Sequence, residues 1–529
     1  MLAAGAFFVL HAVHLTADFP NYSPWMDWSK YTDEGWYGDA AIRHFQLGHW
    51  NVPGDFNPAA ALPVWPFLEA LVFRFTGVSL VAARALTVAV FGLVLVSGFL
   101  LVRRHLTSQN SLASLAPATA VLLLAVSPFC FVFTRLAILE PLLILLMLLS
   151  LLAASYVIPQ QEGNRLRSLT PLILLGILLP VMVLTKTTAI FLFPAIAWML
   201  YARVGYRFLS LLRVGVMPGV IGAALWLAYY GLLIRPHFLT DFRYLFAANA
   251  YTGMTASTVF TILQSTIADG MWIGPLLYPL ALLAAVMALL VIPRLRANPL
   301  VPTLLLWAAG YAAFLAYHNN LQPRYYLVIA VPLTLLTPLV LFDLWPVTEP
   351  DTGVLRAVRP IVAATPALLL AVIALADARD TLHYLRHPSY TYVAAANEIR
   401  QIIASQPDRS PLILSISGSN LSLMTGLPSI CDDFGSMLLA DRIRTYKPGW
   451  YIAWNDVEDD KMEALAPLYH LQRVAAFPAM DDPMRNLLIV YRLDPAIPGP
   501  PSSGRHRRLI PRALRTKIGQ QPSVTQLEH

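Results

Sequence analysis

The stretch Leu80–Val102, LVAARALTVAVFGLVLVSGFLLV, is apolar apart from Arg84 and a few small polar residues. About 20 apolar residues in a helix cross the hydrocarbon core of a bilayer, so this stretch is long enough to span a membrane. The chain of 529 residues is 57% hydrophobic and only 13% charged, which excludes an ordinary soluble protein. Similar runs predict a polytopic α-helical membrane protein with about eleven spans. The predicted spans begin near residues 2, 80, 113, 137, 171, 188, 212, 271, 300, 325 and 360.

The basic residues between these predicted spans fall in alternate loops. They are Arg103, Arg104, Arg165, Arg167, Arg203, Arg207, Arg213, Arg294, Arg296, Arg356 and Arg359. Cytoplasmic loops are enriched in Lys and Arg, so we expect these loops in the cytoplasm. With an odd number of spans, the N-terminus is then cytoplasmic, whereas the first long loop and everything after residue 378 are extracytoplasmic. A net charge of +7 could suggest nucleic-acid binding, but the placement of these residues argues against it and predicts a multi-pass protein of the plasma (inner) membrane.

Three segments of the chain differ in composition. Residues 1–378 form the predicted membrane body, with residues 18–78 as its long first outer loop. The sequence of residues 389–495 predicts a small α/β extracytoplasmic domain. The sequence of residues 496–529 predicts a basic disordered tail. The domain's predicted elements are helices over 390–405, 437–444 and 460–465 and strands over 412–417, 450–454 and 487–492.

The first outer loop contains the sequence DEGWYGD at residues 33–39, surrounded by Trp and Tyr residues. Acidic residues in an exposed loop are commonly only solvated, but these aromatic residues indicate a segment lying along the membrane surface. The apolar spacing that follows predicts an amphipathic helix beginning near the acidic pair, and its N-terminus would favour bound anions such as phosphate. Asp33 and Glu34 are the candidate catalytic residues, with Tyr37 and Asp39 in support.

Two further groups lie at the outer ends of predicted spans. Arg135 falls in a short outer turn, and Glu140 lies at the start of the next span, where a carboxylate is costly and suggests function. The alternative is a structural pair between Arg135 and Glu140. Lys186 lies at the outer end of two apolar helices, where snorkelling to the interface is the alternative to a functional role.

A third group, HNNLQPRYY, begins at His318 and contains Arg324 and Tyr325. An arginine and two tyrosines at the start of a span can hold a phosphate and stack on a sugar, although Arg and Tyr are also common interfacial anchors. All these groups lie on one side of the predicted membrane. Carboxylates and cations on one face predict a site for an anionic lipid substrate, with Asp33 as a general base for the acceptor. The cations would stabilise a departing phosphate.

These motifs resemble those of the membrane-embedded GT-C glycosyltransferases, close to the dolichyl-phosphate-mannose–protein mannosyltransferases and the bacterial aminoarabinose transferases. The resemblance covers residues 1 to about 345. The matching segments are Asp33–Ala41 with Gly48-His49-Trp50, the proline-rich Asn57–Pro66, Arg135 with Glu140, and Arg324-Tyr325 followed by Pro332.

The resemblance implies a GT-C fold and inverting transfer of a sugar from a polyprenyl-phosphate donor to an extracytoplasmic acceptor, with Asp33 as the base. The expected partners are this donor, a lipid, glycan or protein acceptor, and the membrane. The residues expected at the donor phosphate are Arg135, Lys186, Arg324 and Tyr325, with Glu140 as a second acidic site and His318 in support. Some relatives carry a Glu-Lys pair where this chain has Phe56-Asn57. No cofactor is predicted, and use of a divalent metal is left open.

Two other classes of function compete with this interpretation. A lipid-linked oligosaccharide flippase or transporter would carry buried charges along a mid-span pathway and internal pseudo-symmetry, whereas the acids here lie at one face. A membrane-anchored receptor with a ligand-binding outer domain would leave the loop carboxylates unexplained.

Overall fold

The computed structural model describes residues 1–106, 113–157, 165–248, 254–318, 321–343 and 353–496. The described chain is mostly helical up to Arg386, a part we call the helical body, and residues 391–496 form what we call the small domain. The predicted basic tail lies outside the described residues except for Ala496.

The helical body contains seventeen α-helices among the described residues. In chain order they are α1 (Leu2–Leu10), α2 (Asp33–Leu47), α3 (Val64–Thr76), α4 (Leu80–Arg104), α5 (Ala116–Val126), α6 (Pro128–Phe133), α7 (Leu139–Ser155), α8 (Arg165–Thr185), α9 (Phe193–Arg203), α10 (Phe208–Tyr229), α11 (Leu239–Ala248), α12 (Val259–Ala268), α13 (Leu277–Val286), α14 (Pro293–Ala297), α15 (Leu300–His318), α16 (Leu327–Asp343) and α17 (Gly353–Arg386).

Several of these helices are suited to a bilayer. Four helical segments of the described chain are long and apolar enough to cross a membrane: Leu80–Arg104, Phe208–Ala248, Leu300–His318 and Pro323–Asp343. Shorter apolar helices accompany them at Ala113–Val126, Leu139–Ser155, Leu169–Thr185, Thr187–Arg203 and Leu277–Val291. The chain is therefore a helical membrane protein, because helices satisfy their own backbone groups in lipid. The count of eleven spans stays a prediction.

Helix α16 lies in the interior of the helical body. All of its residues over Leu327–Phe342 are buried, and the run contains only apolar residues, two prolines and two threonines. A helix that is apolar on every side belongs in a protein interior. Because Arg324 and Tyr325 directly precede α16, its position buries both side chains at one end of the body.

The segment Phe208–Ala248 is a continuous helix of 41 residues with a π-helical part at Tyr230–Phe238. At 1.5 Å per residue it is about 60 Å long, about twice the thickness of the hydrocarbon core. Its far end reaches both the first loop and the small domain. There the Asp241 carboxylate accepts from Asn51 Nδ2 at 2.9 Å and from Ser436 Oγ at 2.8 Å.

The small domain is a five-stranded sheet with four helices. The helices are α18 (Thr391–Ala404), α19 (Gly418–Thr425), α20 (Leu439–Tyr446) and α21 (Asp459–Leu465). The strands are β1 (Ile413–Leu414), β2 (Ser429–Ile430), β3 (Trp450–Trp454), β4 (Tyr469–Asp482) and β5 (Arg485–Pro495), in the order β2-β1-β3-β5-β4. Strand β1 is parallel to β2 and β3, and β5 is antiparallel to β3 and β4.

The sheet and its flanking helices agree with the α/β prediction, but some elements differ. The strand predicted over 412–417 is only Ile413–Leu414, because the chain turns at Ser415 into α19. Helix α19 was not predicted, since Gly, Ser and Asn at its start are poor helix formers, and packing against α2 stabilises it instead. Strand β4 was also missed, because its side chains do not alternate between buried and exposed positions.

Candidate active site

The acidic pair Asp33 and Glu34 forms the first turn of α2. Negative charges are stabilised at a helix N-terminus, which explains why the helix begins at these residues. Both side chains are buried, with exposed fractions of 3% for Asp33 and 2% for Glu34. The alternative that they are merely solvated loop residues is therefore wrong.

Asp33 is held by an arginine that is distant in sequence. Its Oδ2 lies 2.8 Å from Arg324 Nη2, and its Oδ1 accepts from Thr32 Oγ1 at 3.0 Å. Burial raises the pKa of the Asp33 carboxyl above its ordinary value, and the positive charge of Arg324 opposes that rise. The carboxylate is thus kept more basic than an exposed aspartate while remaining paired.

Arg324 also binds a second carboxylate, that of Asp27. Its Nη1 lies 2.5 Å from Asp27 Oδ1, and its backbone N–H donates to Asp27 Oδ2 at 2.9 Å. The negative charge of Asp27 contributes to raising the pKa of Asp33. Sequence reasoning did not single out Asp27 among the acids of the first loop, because no local pattern distinguishes it. Only its partner across the fold reveals its role.

A second ion pair adjoins the first. Lys186 Nζ contacts Glu140 Oε1, and both side chains are buried. Lys186 Nζ lies 4.2 Å from the centre of the Tyr325 ring, and the Arg324 guanidinium lies 4.6 Å from the same centre. The sequence-predicted residues Asp33, Glu140, Lys186, Arg324 and Tyr325 are therefore brought together. We call these five residues with Asp27 the Asp33 cluster.

Two of the sequence alternatives can be decided from these contacts. Glu140 forms its ion pair with Lys186 and not with Arg135, so the proposed structural pair of Arg135 with Glu140 is wrong. Lys186 is 7% exposed and has an anionic partner, so it does not simply snorkel to the interface.

Glu34 faces away from Asp33 toward α4. Its carboxylate accepts from Arg84 Nε at 2.7 Å and Nη2 at 2.6 Å, and from the backbone N–H of Ala137 at 3.0 Å. Both oxygens are engaged in fixing α2 to the helical body. Glu34 is therefore better placed to position α2 than to transfer a proton.

Tyr37 and Asp39, the candidate supporting residues, lie in different environments. Burial and the nearby Asp33 charge raise the pKa of Tyr37 well above its ordinary value, so its hydroxyl stays protonated. Asp39 lies between α2 and the small domain. Its carboxylate is 2.8 Å from Arg43 Nη1 of the same helix and accepts from Ser419 Oγ of the small domain at 2.8 Å.

Arg43 continues this contact into a buried network. Its Nη2 lies 2.5 Å from Asp55 Oδ2, and Asp55 Oδ1 lies 2.9 Å from Arg442 Nη1 of α20. Two aspartates and two arginines thus neutralise one another between α2, the first loop and the small domain. We call Asp39, Arg43, Asp55 and Arg442 the docking network.

Arg135 and His318 complete the set of predicted residues. Arg135 Nη2 donates to the carbonyl oxygens of Val13 at 2.6 Å and His14 at 2.7 Å, which places it beside the turn that follows α1 and outside the ion pairs of the Asp33 cluster. His318 ends α15, with its ring 5.4 Å from that of Phe314.

The Asp33 cluster is a poor match for a resident metal. Within the described ranges, no group of three or more His, Cys, Asp or Glu side chains is arranged to hold a metal ion. Each carboxylate of the cluster already has a cationic partner, Arg324 for Asp27 and Asp33 and Lys186 for Glu140. A metal ion at the Asp33 cluster would have to share these carboxylates with Arg324 and Lys186.

Neither a protein-family model nor a curated protein matches the sequence. Among solved structures, however, the fold is that of the GT-C membrane glycosyltransferases, which confirms the predicted resemblance at the level of fold. The structure of ArnT from Cupriavidus metallidurans in the apo state aligns with a TM-score of 0.60 and 14% identity, over 92% of this chain and 97% of that chain.

Two further structures support the same fold. ArnT from Cupriavidus metallidurans bound to undecaprenyl phosphate aligns with a TM-score of 0.59 and 16% identity, over 92% of this chain and 97% of that chain. The oligosaccharyltransferase of Archaeoglobus fulgidus in the apo form aligns with a TM-score of 0.50 and 12% identity, over 93% and 74% of the two chains.

Proposed function

We propose that this protein is a membrane glycosyltransferase that moves a sugar from a polyprenyl-phosphate donor to an acceptor hydroxyl or amine. The observation that carries the proposal is the Asp33 cluster, in which a buried carboxylate adjoins two cations that contact one tyrosine ring. The binding of undecaprenyl phosphate by a protein of the same fold supports a lipid-phosphate donor.

In the proposed reaction, the acceptor oxygen or nitrogen attacks the anomeric carbon from the face opposite the phosphate. The bond between that carbon and the phosphate oxygen breaks, its electron pair leaves with the phosphate, and the acceptor proton passes to Asp33. A single displacement of this kind inverts the anomeric configuration. A correctly placed base typically contributes 10²- to 10⁴-fold to the rate of such a step.

Lys186 and Arg324 are the proposed ligands of the donor phosphate, together with the Tyr325 hydroxyl. Each cation has an anionic partner, Glu140 or the two aspartates, in the absence of donor. A phosphate between the two cations would share these charges and weaken the hold of Arg324 on Asp33. Donor binding would thereby free the base, and the same cations would stabilise the leaving phosphate.

We infer the side of the membrane on which the reaction takes place from the positive-inside distribution of arginines. We place the Asp33 cluster and the predicted extracytoplasmic domain (389–495) on the outer side of the plasma (inner) membrane, with the predicted membrane body (1–378) spanning it and the N-terminus in the cytoplasm. The acceptor is then a lipid, glycan or protein on that side.

The test is a transfer assay with the purified full-length protein and a panel of labelled polyprenyl-phosphate sugars. Asp33→Asn should lower kcat by about 10²- to 10⁴-fold, while the surface variant Asp380→Asn should behave as the wild type. Near-normal turnover by Asp33→Asn would exclude the proposed base. Donor that crosses the bilayer with its sugar still attached would instead support the transporter alternative.

A further inference from the structure

Asp27, the second carboxylate that binds Arg324, lies in a short turn of the first loop. It caps the 3-10 helix Trp28–Lys30, where its Oδ1 accepts from the backbone N–H of Ser29 at 2.8 Å. We call residues 27–31 the Asp27 turn. A single turn makes few backbone hydrogen bonds of its own, so its position depends on the elements that pack against it.

The hairpin of β4 and β5 in the small domain reaches the Asp27 turn. Its tip, residues 481–485, places the Arg485 guanidinium 3.5 Å from the centre of the Trp28 ring. An arginine over the face of a tryptophan is a favourable cation–π contact, most of all where water is partly excluded. The tip is itself braced from within the small domain, because Asn455 Nδ2 donates to the carbonyl oxygen of Pro483 at 3.0 Å.

Two polar contacts accompany this cation–π contact. The Tyr31 hydroxyl donates to Asp482 Oδ2 at 2.8 Å, and Lys30 Nζ lies 3.9 Å from Asp481 Oδ1. Lys30 and Tyr31 are only 3% and 2% exposed, so solvent and salt screen these contacts less than they would at a free surface. The hairpin tip thus holds the Asp27 turn, while the carboxylate at the start of that turn binds the arginine of the Asp33 cluster.

We infer that Arg485 is a positioning residue for the proposed transfer: through Trp28 it holds Asp27 against Arg324, the arginine that binds Asp33. Asp27 divides the guanidinium of Arg324 between two carboxylates. If the Asp27 turn moved away, that guanidinium would be left to pair with Asp33 alone. The hairpin tip would then act on the base through the residues between them. This role rests on the proposed function, whereas the contact between the hairpin tip and the turn does not.

Movement of the Asp27 turn has a definite electrostatic effect on Asp33. Burial raises the pKa of the Asp33 carboxyl, and three charges then modify it: Arg324 lowers it, whereas Asp27 and Glu140 raise it. The small domain supplies none of these three groups. Withdrawing Asp27 therefore lowers the pKa of Asp33, so loss of the hairpin contact should act in the same direction as Asp27→Asn.

The first measurement is amide hydrogen exchange of the full-length protein, followed in the peptide that contains residues 27–32. Arg485→Gln removes the cation over the Trp28 ring, and exchange in this peptide should become about two- to thirtyfold faster. Arg485→Lys keeps a cation and should restore much of the protection. Met484→Ala is the matched control, because Met484 lies in the same tip and is 78% exposed. Unchanged exchange in Arg485→Gln would overturn the inference.

The second measurement is the pH dependence of kcat/KM for sugar transfer. Arg485→Gln should move the acidic limb to lower pH, by no more than Asp27→Asn does, while Arg485→Lys and Met484→Ala should leave the limb in place. Faster exchange with an unmoved limb would show that the contact is only structural and would overturn the positioning role. Wild-type protein that transfers no sugar would overturn the proposed function, and this role with it, even where exchange confirms that the tip holds the turn.

Discussion

The backbone N–H of Gly35 donates to Asn420 Oδ1 at 2.5 Å, and this bond joins the first turn of α2 to α19 of the small domain. A β-carbon at position 35 would lie 2.2 Å from the backbone nitrogen of Asn420 and 2.2 Å from the carbonyl carbon of Ser419. Backbone atoms cannot rotate away as a side chain can. The small domain therefore packs directly against the turn that carries Asp33.

Gly35→Ala should accordingly displace α19 or α2 and impair the site. Overpacking typically costs about 1–3 kcal/mol, and we expect a lower Tm together with a loss of sugar transfer of tenfold or more. The matched control is Gly219→Ala in α10, where a β-carbon would meet no atom within 4 Å. Wild-type transfer by Gly35→Ala would show that docking of the small domain does not position the base.

The pH dependence of transfer should respond in opposite directions to the two neighbours of Asp33. The base must be ionised, so kcat/KM should rise as pH increases through the pKa of Asp33. Arg324 lowers that pKa and Asp27 raises it. Arg324→Gln should therefore move the acidic limb to higher pH and Asp27→Asn should move it to lower pH, each by about one unit or more.

The measurement is kcat/KM across the acidic range for the wild type and both variants, with Asp380→Asn as the control. If the acidic limb moved in the same direction in Arg324→Gln and in Asp27→Asn, the titrating group would not be Asp33. The comparison holds even when both variants lose absolute activity, because it depends on the position of the limb alone.

Glu34 and Arg84 should behave as a structural pair. Glu34→Gln leaves a buried guanidinium without its anion, which typically costs about 3–5 kcal/mol, so Tm should fall. Combining Glu34→Gln with Arg84→Gln removes both charges and should recover much of the lost Tm and activity. If the double variant regained stability but not transfer, Glu34 would have a direct part in the reaction.

Donor affinity should depend on Lys186 and Arg324. Removing either charge-assisted contact to the phosphate should weaken donor binding by about tenfold or more and also slow transfer. The measurement is the Kd of a polyprenyl-phosphate sugar for Lys186→Ala, Arg324→Ala and Arg207→Ala, the last from a predicted cytoplasmic loop. Equal Kd values across the three variants would remove both cations from the donor site.

The sequence predicted most residues of the Asp33 cluster but not the ion pairs that join them. Predicted topology was enough to place Asp33, Lys186 and Arg324 at one face, because apolar run length and charge bias determine which ends of the helices meet. It could not show that Arg324 binds Asp27, since the two residues are 297 positions apart and no periodicity relates them.

Two other local patterns in the sequence relate to buried ion pairs of the fold. Arg84 is the single charged residue in an apolar stretch of spanning length, which is itself a sign of a buried partner such as Glu34. Arg135 and Glu140 are close in sequence, but Arg135 contacts the turn that follows α1, whereas Glu140 contacts Lys186. Sequence proximity therefore suggested a pair that the packing does not form.

The docking network has a consequence for the order of biosynthesis. Asp55 emerges early from the ribosome, but Arg442 follows 387 residues later. At about 5–20 residues per second, the first loop waits roughly 20 to 80 s for this partner. During that interval Arg43 and Asp55 lack the contact that secures them, so a nascent or truncated chain carries Asp33 without the packing around it. Competence for chemistry is thus acquired last, after the helices that precede the small domain have been synthesised.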